Sequence, residues 1–205
     1  MDLKLIYGNM RALCEAPQMM LHYADIPYEY KMVWDHYGSS WAEVKKDIIF
    51  NRLPILIINE DKYLWQSNTI IRYLSNLTKT KPSDEFQLAY CDAVFESTHE
   101  MFSPLNPTIN MTFGEKYNSN KKKLLEDILP NSLNNFEKLL QNSSGNFFIG
   151  NDPFYCDFNA YHHFSMCLIL DKNIFSNFPN LKKFINNFEK LNNIKNYLDS
   201  RPELV

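Results

Sequence analysis

Long apolar runs, a surplus of either charge and closely spaced cysteines are all missing from this chain of 205 residues. No stretch approaches the apolar length needed to span a bilayer, which excludes a helical membrane protein. The start, Met1-Asp2-Leu3-Lys4, has no basic-then-apolar leader, so a cytoplasmic protein is expected. A formal net charge of -3 gives no electrostatic reason for nucleic acid or an anionic membrane as partner. The short lysine clusters, Lys121 to Lys123 and Lys182-Lys183, read as solvated helix faces. Four cysteines, Cys14, Cys91, Cys156 and Cys167, lie scattered without Cys-x-x-Cys spacing, which argues against both a disulfide framework and a zinc site. They read as small buried hydrophobes. His162 and His163 are adjacent, about 100° apart around a helix, and cannot chelate one metal together. Asp92, Glu96, His99 and Glu100 line one helical face that reads as solvated. No metal is expected.

What is present is a broken apolar stretch: Arg52-Leu53-Pro54-Ile55-Leu56, an acidic turn at Asn59-Glu60-Asp61, then Trp65-Gln66-Ser67-Asn68. It reads as a β-hairpin between a cis-proline and a helix that opens with Gln-Ser. An X-Pro bond is the one peptide bond that goes cis cheaply, and proline entering a strand removes a ladder donor, so Leu53-Pro54 serves geometry rather than packing. The Leu53 backbone would turn outward, where an extended peptide could pair as an added strand. Ser67, at the start of a helix over 69–77, presents a hydroxyl, a backbone N–H and the helix dipole to a carboxylate. Together these suit a short anionic peptide.

Along the chain, 3–7 reads as a strand and Leu13, Ala16, Met20 and Tyr23 as a helical stripe starting near Cys14, with Pro17 tolerated in the first turn. A strand over 28–33 and a capped helix over 40–49, with Trp41, Val44 and Ile48 inward, precede the hairpin strands 55–58 and 63–65. The order β-α-β-α-β-β-α predicts a thioredoxin-like α/β domain over 1–80. Residues 79–84 have linker composition, and the strand signal then disappears. Helices are expected over 86–102, 121–140, 154–170, 180–188 and 194–198, an all-helical domain over 84–205. Asp152-Pro153 is expected to cap the helix that follows it.

With two domains in this order, the residues resemble a cytosolic glutathione S-transferase, closest to the sigma class that includes the glutathione-dependent prostaglandin D synthases. Tyr7-Gly8-Asn9-Met10-Arg11-Ala12 is similar to the family's Tyr-Phe-Asn-Met-Arg-Gly, with tyrosine in the catalytic place. Trp41 and Lys45 match the residues that hold the glycine end of glutathione. Arg52-Leu53-Pro54 fits the cis-proline strand, and Gln66-Ser67 the site for the γ-glutamyl carboxylate. Glu100 stands where an acid reaches the neighbouring subunit's glutathione. Phe148-Ile149-Gly150-Asn151 through Asp157-Phe158 resembles the buried folding motif of the central helix. The chain departs from the pattern at Gly8, Ala12 and Leu13, and at Phe154, where the family has a capping Ser/Thr. It also has no counterpart of the prostaglandin synthase tryptophan between residues 104 and 109.

The resemblance implies a homodimeric detoxification enzyme, a transferase joining glutathione to hydrophobic electrophiles. An apolar pocket would use Gly8, Met10, Leu13 and residues 102–112. Glutathione-dependent isomerisation of a prostaglandin-like endoperoxide, or an idle ligand carrier, are the alternatives. Such an enzyme must make thiolate at neutral pH, where a free thiol of pKa about 8.5 is only a few per cent ionised. A phenol hydrogen bond from Tyr7 to sulfur, at roughly 1.5–3 kcal/mol, would lower that pKa by about one to two units. Arg52 would add charge, and Arg11 reads as a structural tie to an acidic partner.

Overall fold

The computed structural model describes residues 1–202. Internal contacts divide the chain into two units, one of residues 1–80 with 192 onward and one of residues 81–191.

In the first unit, β1 (Leu3–Tyr7), β2 (Glu29–Met32), β3 (Ile55–Ile58) and β4 (Lys62–Trp65) form one sheet of order β2-β1-β3-β4. β2 runs parallel to β1, and β3 is antiparallel to both β1 and β4. β3 is the continuous apolar run Ile-Leu-Ile-Ile, and all four residues are buried, as expected of a strand covered on both faces. One face is covered by α1 (Glu15–Tyr23) and by a later helix, Ser67–Leu77. The latter buries Ile70, Ile71 and Leu74 at helical spacing. On the other face Val33 and Ile48 join Ile6, Ile55 and Ile57, with Trp41, Val44 and Trp65 packed against them.

That second covering is more broken than the expected helix over 40–49. A helix missed from sequence, α2 (Val33–Tyr37), ends at Gly38, whose φ of 66° gives the left-handed cap that glycine adopts freely. α3 (Trp41–Val44) is a single turn, started by Ser40, whose N–H and hydroxyl both donate to Glu43 Oε2 at 2.9 and 2.7 Å. It tightens to a 3₁₀ turn over Lys45–Asp47 and stops at Ile48, which is extended. Phe50 and Asn51 then take left-handed φ values of 64° and 50°, reversing the chain toward β3. The Leu53-Pro54 bond at that entry is cis. α4 (Ser67–Leu77) follows β4 directly.

The second unit is wholly helical apart from an isolated bridge between Phe147 and Gly150. α5 (Glu85–Met111) continues through Pro104 and Pro107, beyond the stop expected at residue 102. Each proline withholds the bond to the carbonyl four residues earlier and crowds that carbonyl with its ring. Thr108 and Thr112 hydroxyls bond the carbonyls of Pro104 and Thr108 at 2.9 and 2.7 Å, and Leu105 is fully buried. α6 (Gly114–Lys123), a π turn over Leu124–Ile128 and α7 (Leu129–Gln141) form one helical path, longer than the expected 121–140. α8 (Tyr155–Leu170) and α9 (Pro179–Glu189) complete this unit. α8 packs mainly on α5, where Asn159 Nδ2 donates to Thr98 Oγ1 at 2.9 Å and the His163 ring stacks on Phe102 at 4.0 Å. Burial pushes the His163 pKa well down, which keeps the ring neutral.

The last helix, α10 (Asn192–Ser200), was expected to close the helical domain but belongs to the first unit. It packs on α1, where Tyr197 lies 4.4 Å from the ring of His22 and Asn193 Nδ2 donates to the Tyr23 carbonyl at 3.3 Å. Arg201 pairs with the buried carboxylate of Glu15. Arg11 donates to the Pro202 carbonyl at 3.1 Å, so the acid in this clamp is bound by Arg201 rather than by Arg11. All four cysteines are free of disulfides and buried.

The start of α8 also differs from expectation. Asp152 is not the cap, because the helix begins at Tyr155 and its N-cap is Phe154, which has no side-chain acceptor. Asp157, three residues in, accepts from Phe154 N at 2.8 Å and reaches across to Phe148 N at 3.1 Å. Burial pushes its carboxyl up to about 7 against the pull of those N–H bonds. The native state therefore holds a proton there that the unfolded chain loses near pH 4, and this stabilisation fades as pH rises through 7. Asp157→Ala should cost roughly 2–4 kcal/mol in urea unfolding, since two buried N–H groups lose their acceptor. Asp157→Asn cannot ionise, so the wild-type advantage over it should shrink steadily between about pH 4 and 7.

Candidate functional site

β1 ends at Tyr7, and the pairings of Ile6 with Ile55 and of Ile55 with Trp65 fix what lies beside it. One residue further toward the same sheet end stand Tyr7 on β1, Pro54 entering β3 and Gln66 leaving β4. Adjacent strands are about 4.8 Å apart, so this row is about 10 Å long, close to the reach of three extended residues. The next step along adds Leu53 and Ser67.

Tyr7 is largely buried, and its hydroxyl oxygen accepts from Leu13 N at 3.2 Å. Burial holds its pKa well above that of an ordinary phenol, so the group remains protonated and its hydrogen is not the one used in that bond. The connecting turn is also held from β2, where the Tyr30 hydroxyl donates to the Gly8 carbonyl at 2.9 Å. A Cβ placed on Gly8 would meet nothing within 4 Å, so the missing aromatic leaves open space beside Tyr7. Ala12, where the family pattern has glycine, is buried and carries a φ of 28°.

At the far end of the row, Gln66 is exposed with φ 70° and ψ 117°, an unusual backbone for a residue with a side chain. Ser67 is the first residue of α4 and is buried, with its Oγ at 3.5 Å from Asn68 Oδ1. The opening N–H groups of a helix have no partner within it, and the helix dipole adds partial positive charge. Strain at Gln66 thus delivers Ser67 and a helix N-terminus to the sheet end. Trp41 is half-buried against the apolar cluster of Ile6, Val33, Ile48, Ile55 and Ile57 on this sheet face, and Lys45 is exposed one turn further on. Arg52 is exposed and extended just before Leu53.

The structure therefore brings Tyr7, Leu53, Pro54, Gln66 and Ser67 to one edge, flanked by the segment with Trp41, Lys45 and Arg52. Glu100 is an exposed residue of α5 in the second unit. The Leu13 amide went unnoticed in the sequence because every residue has one. Only the turn geometry aims it at Tyr7. Among the described residues no cluster of three or more His, Cys, Asp or Glu is placed to hold a metal ion, and no helix is long and apolar enough to cross a membrane.

Residues 1–76 match the family model of the glutathione S-transferase N-terminal domain, and residues 99–201 that of the C-terminal domain. A glutathione S-transferase of Plasmodium yoelii yoelii is 32% identical over 173 residues, covering 82% of this chain and 79% of that protein. Glutathione S-transferase P of Caenorhabditis elegans is 29% identical over 205 residues, covering 98% and 94%. Among solved structures, rat hPGDS complexed with a quinoline superimposes with a TM-score of 0.87 at 25% identity, covering 99% of this chain and 98% of that one. The chain belongs to the glutathione S-transferases. It is a transferase with glutathione as its co-substrate, on a thioredoxin-like domain followed by a helical one.

Relief of the left-handed φ at Ala12, about 1–2 kcal/mol, exceeds the roughly 0.5–1 kcal/mol of extra unfolded-state freedom that glycine brings. Ala12→Gly should therefore raise the unfolding free energy by about 0.5–1 kcal/mol, read as a higher urea midpoint at unchanged slope.

Proposed function

We propose that Tyr7 is the catalytic residue and that the row from Tyr7 to Gln66 is the bed of glutathione. The observation that carries this is the alignment of Tyr7, Pro54 and Gln66 at one sheet end, with a protonated phenol at one extreme and a helix N-terminus at the other. Ser67 and the first α4 amides take the γ-glutamyl carboxylate. Leu53, held by Pro54, offers its backbone to the middle of the tripeptide, and Gln66 orients the amino-acid end. Trp41 and Lys45 grip the glycine carboxylate by indole N–H and ammonium, with Arg52 adding positive charge. Tyr7 donates its hydroxyl hydrogen to sulfur, and the Leu13 N–H, bonded to the same oxygen, makes the phenol a better donor. Because burial keeps the phenol protonated, Tyr7 works as a donor to thiolate and not as a base.

The helical unit would supply the apolar surface for the electrophile, and Glu100 would serve the glutathione of a second copy in a homodimer. We place the protein in the cytoplasm, with no nucleic acid or membrane as partner. The sigma-class reading rests on the patterns at 7–12 and 41–45.

Replacing Tyr7 by Phe should raise the bound thiol pKa by about one to two units and lower kcat/KM for a chloronitrobenzene about 10- to 100-fold near neutral pH, with the loss shrinking toward pH 9. Calorimetry should still show glutathione binding. Unchanged turnover in Tyr7→Phe would reject the assignment. Ser67→Ala should raise KM for glutathione about 5- to 20-fold while kcat changes little, because it removes binding common to ground and transition states.

A further inference from the structure

The sheet face under α2 and α3 carries a cavity of about 370 Å³, within the range of small-ligand sites. The row assigned to glutathione contributes none of its lining residues. Its lining is aliphatic from Val44, Ile48, Ile49 and Ile55 and aromatic from Tyr37, Tyr63 and Trp65. Tyr63 and Trp65 stack at 6.3 Å with 17° between their planes. Asp47 is the only charged residue in the lining. Lys45 and Lys46 precede it in the same turn without lining the cavity.

The chemistry of this lining selects by charge. The polar side chains among its lining residues are one carboxylate, two phenols and the Trp65 indole, so an anion such as glutathione finds no cationic side chain there. An ammonium group would find both a carboxylate and the electron-rich faces of stacked rings, two attractions of the same sign. The aliphatic lining suits a ring or short alkyl body, and the volume accommodates one ring with a short arm.

We propose that this cavity is a second binding site, selective for small organic cations of the aryl-alkyl ammonium class, and independent of the glutathione bed. The amine's nitrogen would sit at Asp47 with its ring against Tyr63 and Trp65.

Titration with phenethylammonium, followed by calorimetry and tryptophan fluorescence, should give saturable binding with Kd on the order of 0.1–1 mM. The uncharged analogue 2-phenylethanol should bind at least about fivefold more weakly. Asp47→Asn, at an exposed turn position, should weaken the amine about five- to tenfold and leave the alcohol unaffected. Trp65→Ala should weaken both ligands, and circular dichroism would confirm that the variants fold. Saturating glutathione should leave the amine's Kd unchanged. Equal affinity for amine and alcohol, indifference to Asp47→Asn, displacement by glutathione, or no saturable binding at millimolar concentration would each overturn the proposal.

Discussion

The structure depends most on one register. Ile6, Ile55 and Trp65 lie side by side across β1, β3 and β4. A slip of one residue in any of these strands would send every side chain to the opposite face. Slippage is prevented because β3 is apolar throughout and covered on both faces, so each of its residues has a fixed place in the core. The positions of Tyr7, Pro54 and Gln66 follow from that packing, each being the next residue beyond a locked pair. The site's geometry is thus inherited from the hydrophobic core and needs no separate framework.

The role proposed for Tyr7 rests on the same burial. Withdrawal from water would be a liability for a group that had to ionise, but it suits a donor. It holds the proton on oxygen and lets a hydrogen bond to a developing anion count for more than it would in solvent. The turn after β1 is held from two directions, by Tyr30 on the Gly8 carbonyl and by Leu13 on the phenol. That double hold gives the turn a fixed shape even though Ala12 sits in a backbone conformation that suits glycine better.

Much of this was readable from the chain because periodicity and proline carry strong physical constraints. The strands at 3–7 and 55–58, the cis bond at Pro54, the helix opening at Ser67 and the arrangement of a mixed α/β domain before a helical one all follow from them. The differences arise where local signals conflict with tertiary packing. Pro104 and Pro107 read as a helix end, yet side-chain bonds and buried Leu105 carry α5 past them. Asp152-Pro153 reads as a cap, but the carboxylate that does the capping lies inside the helix at Asp157 and also reaches Phe148. Residues 40–49 have helical spacing, but the chain must reverse at Phe50 and Asn51 to enter β3, so the helix ends after one turn. The Leu13 amide has no sequence signature, since its role is set by backbone position alone.

The placement of α10 gives the two units an unequal relation to the order of synthesis. The first eighty residues emerge from the ribosome before the helical unit, yet the helix that covers α1, and the arginine for Glu15 that directly follows it, are made after it. Until that helix arrives, α1 has apolar surface and a carboxylate waiting for partners more than a hundred residues away along the chain. The thioredoxin-like half is therefore begun first and finished last, and a gene fragment ending near residue 80 encodes only part of it.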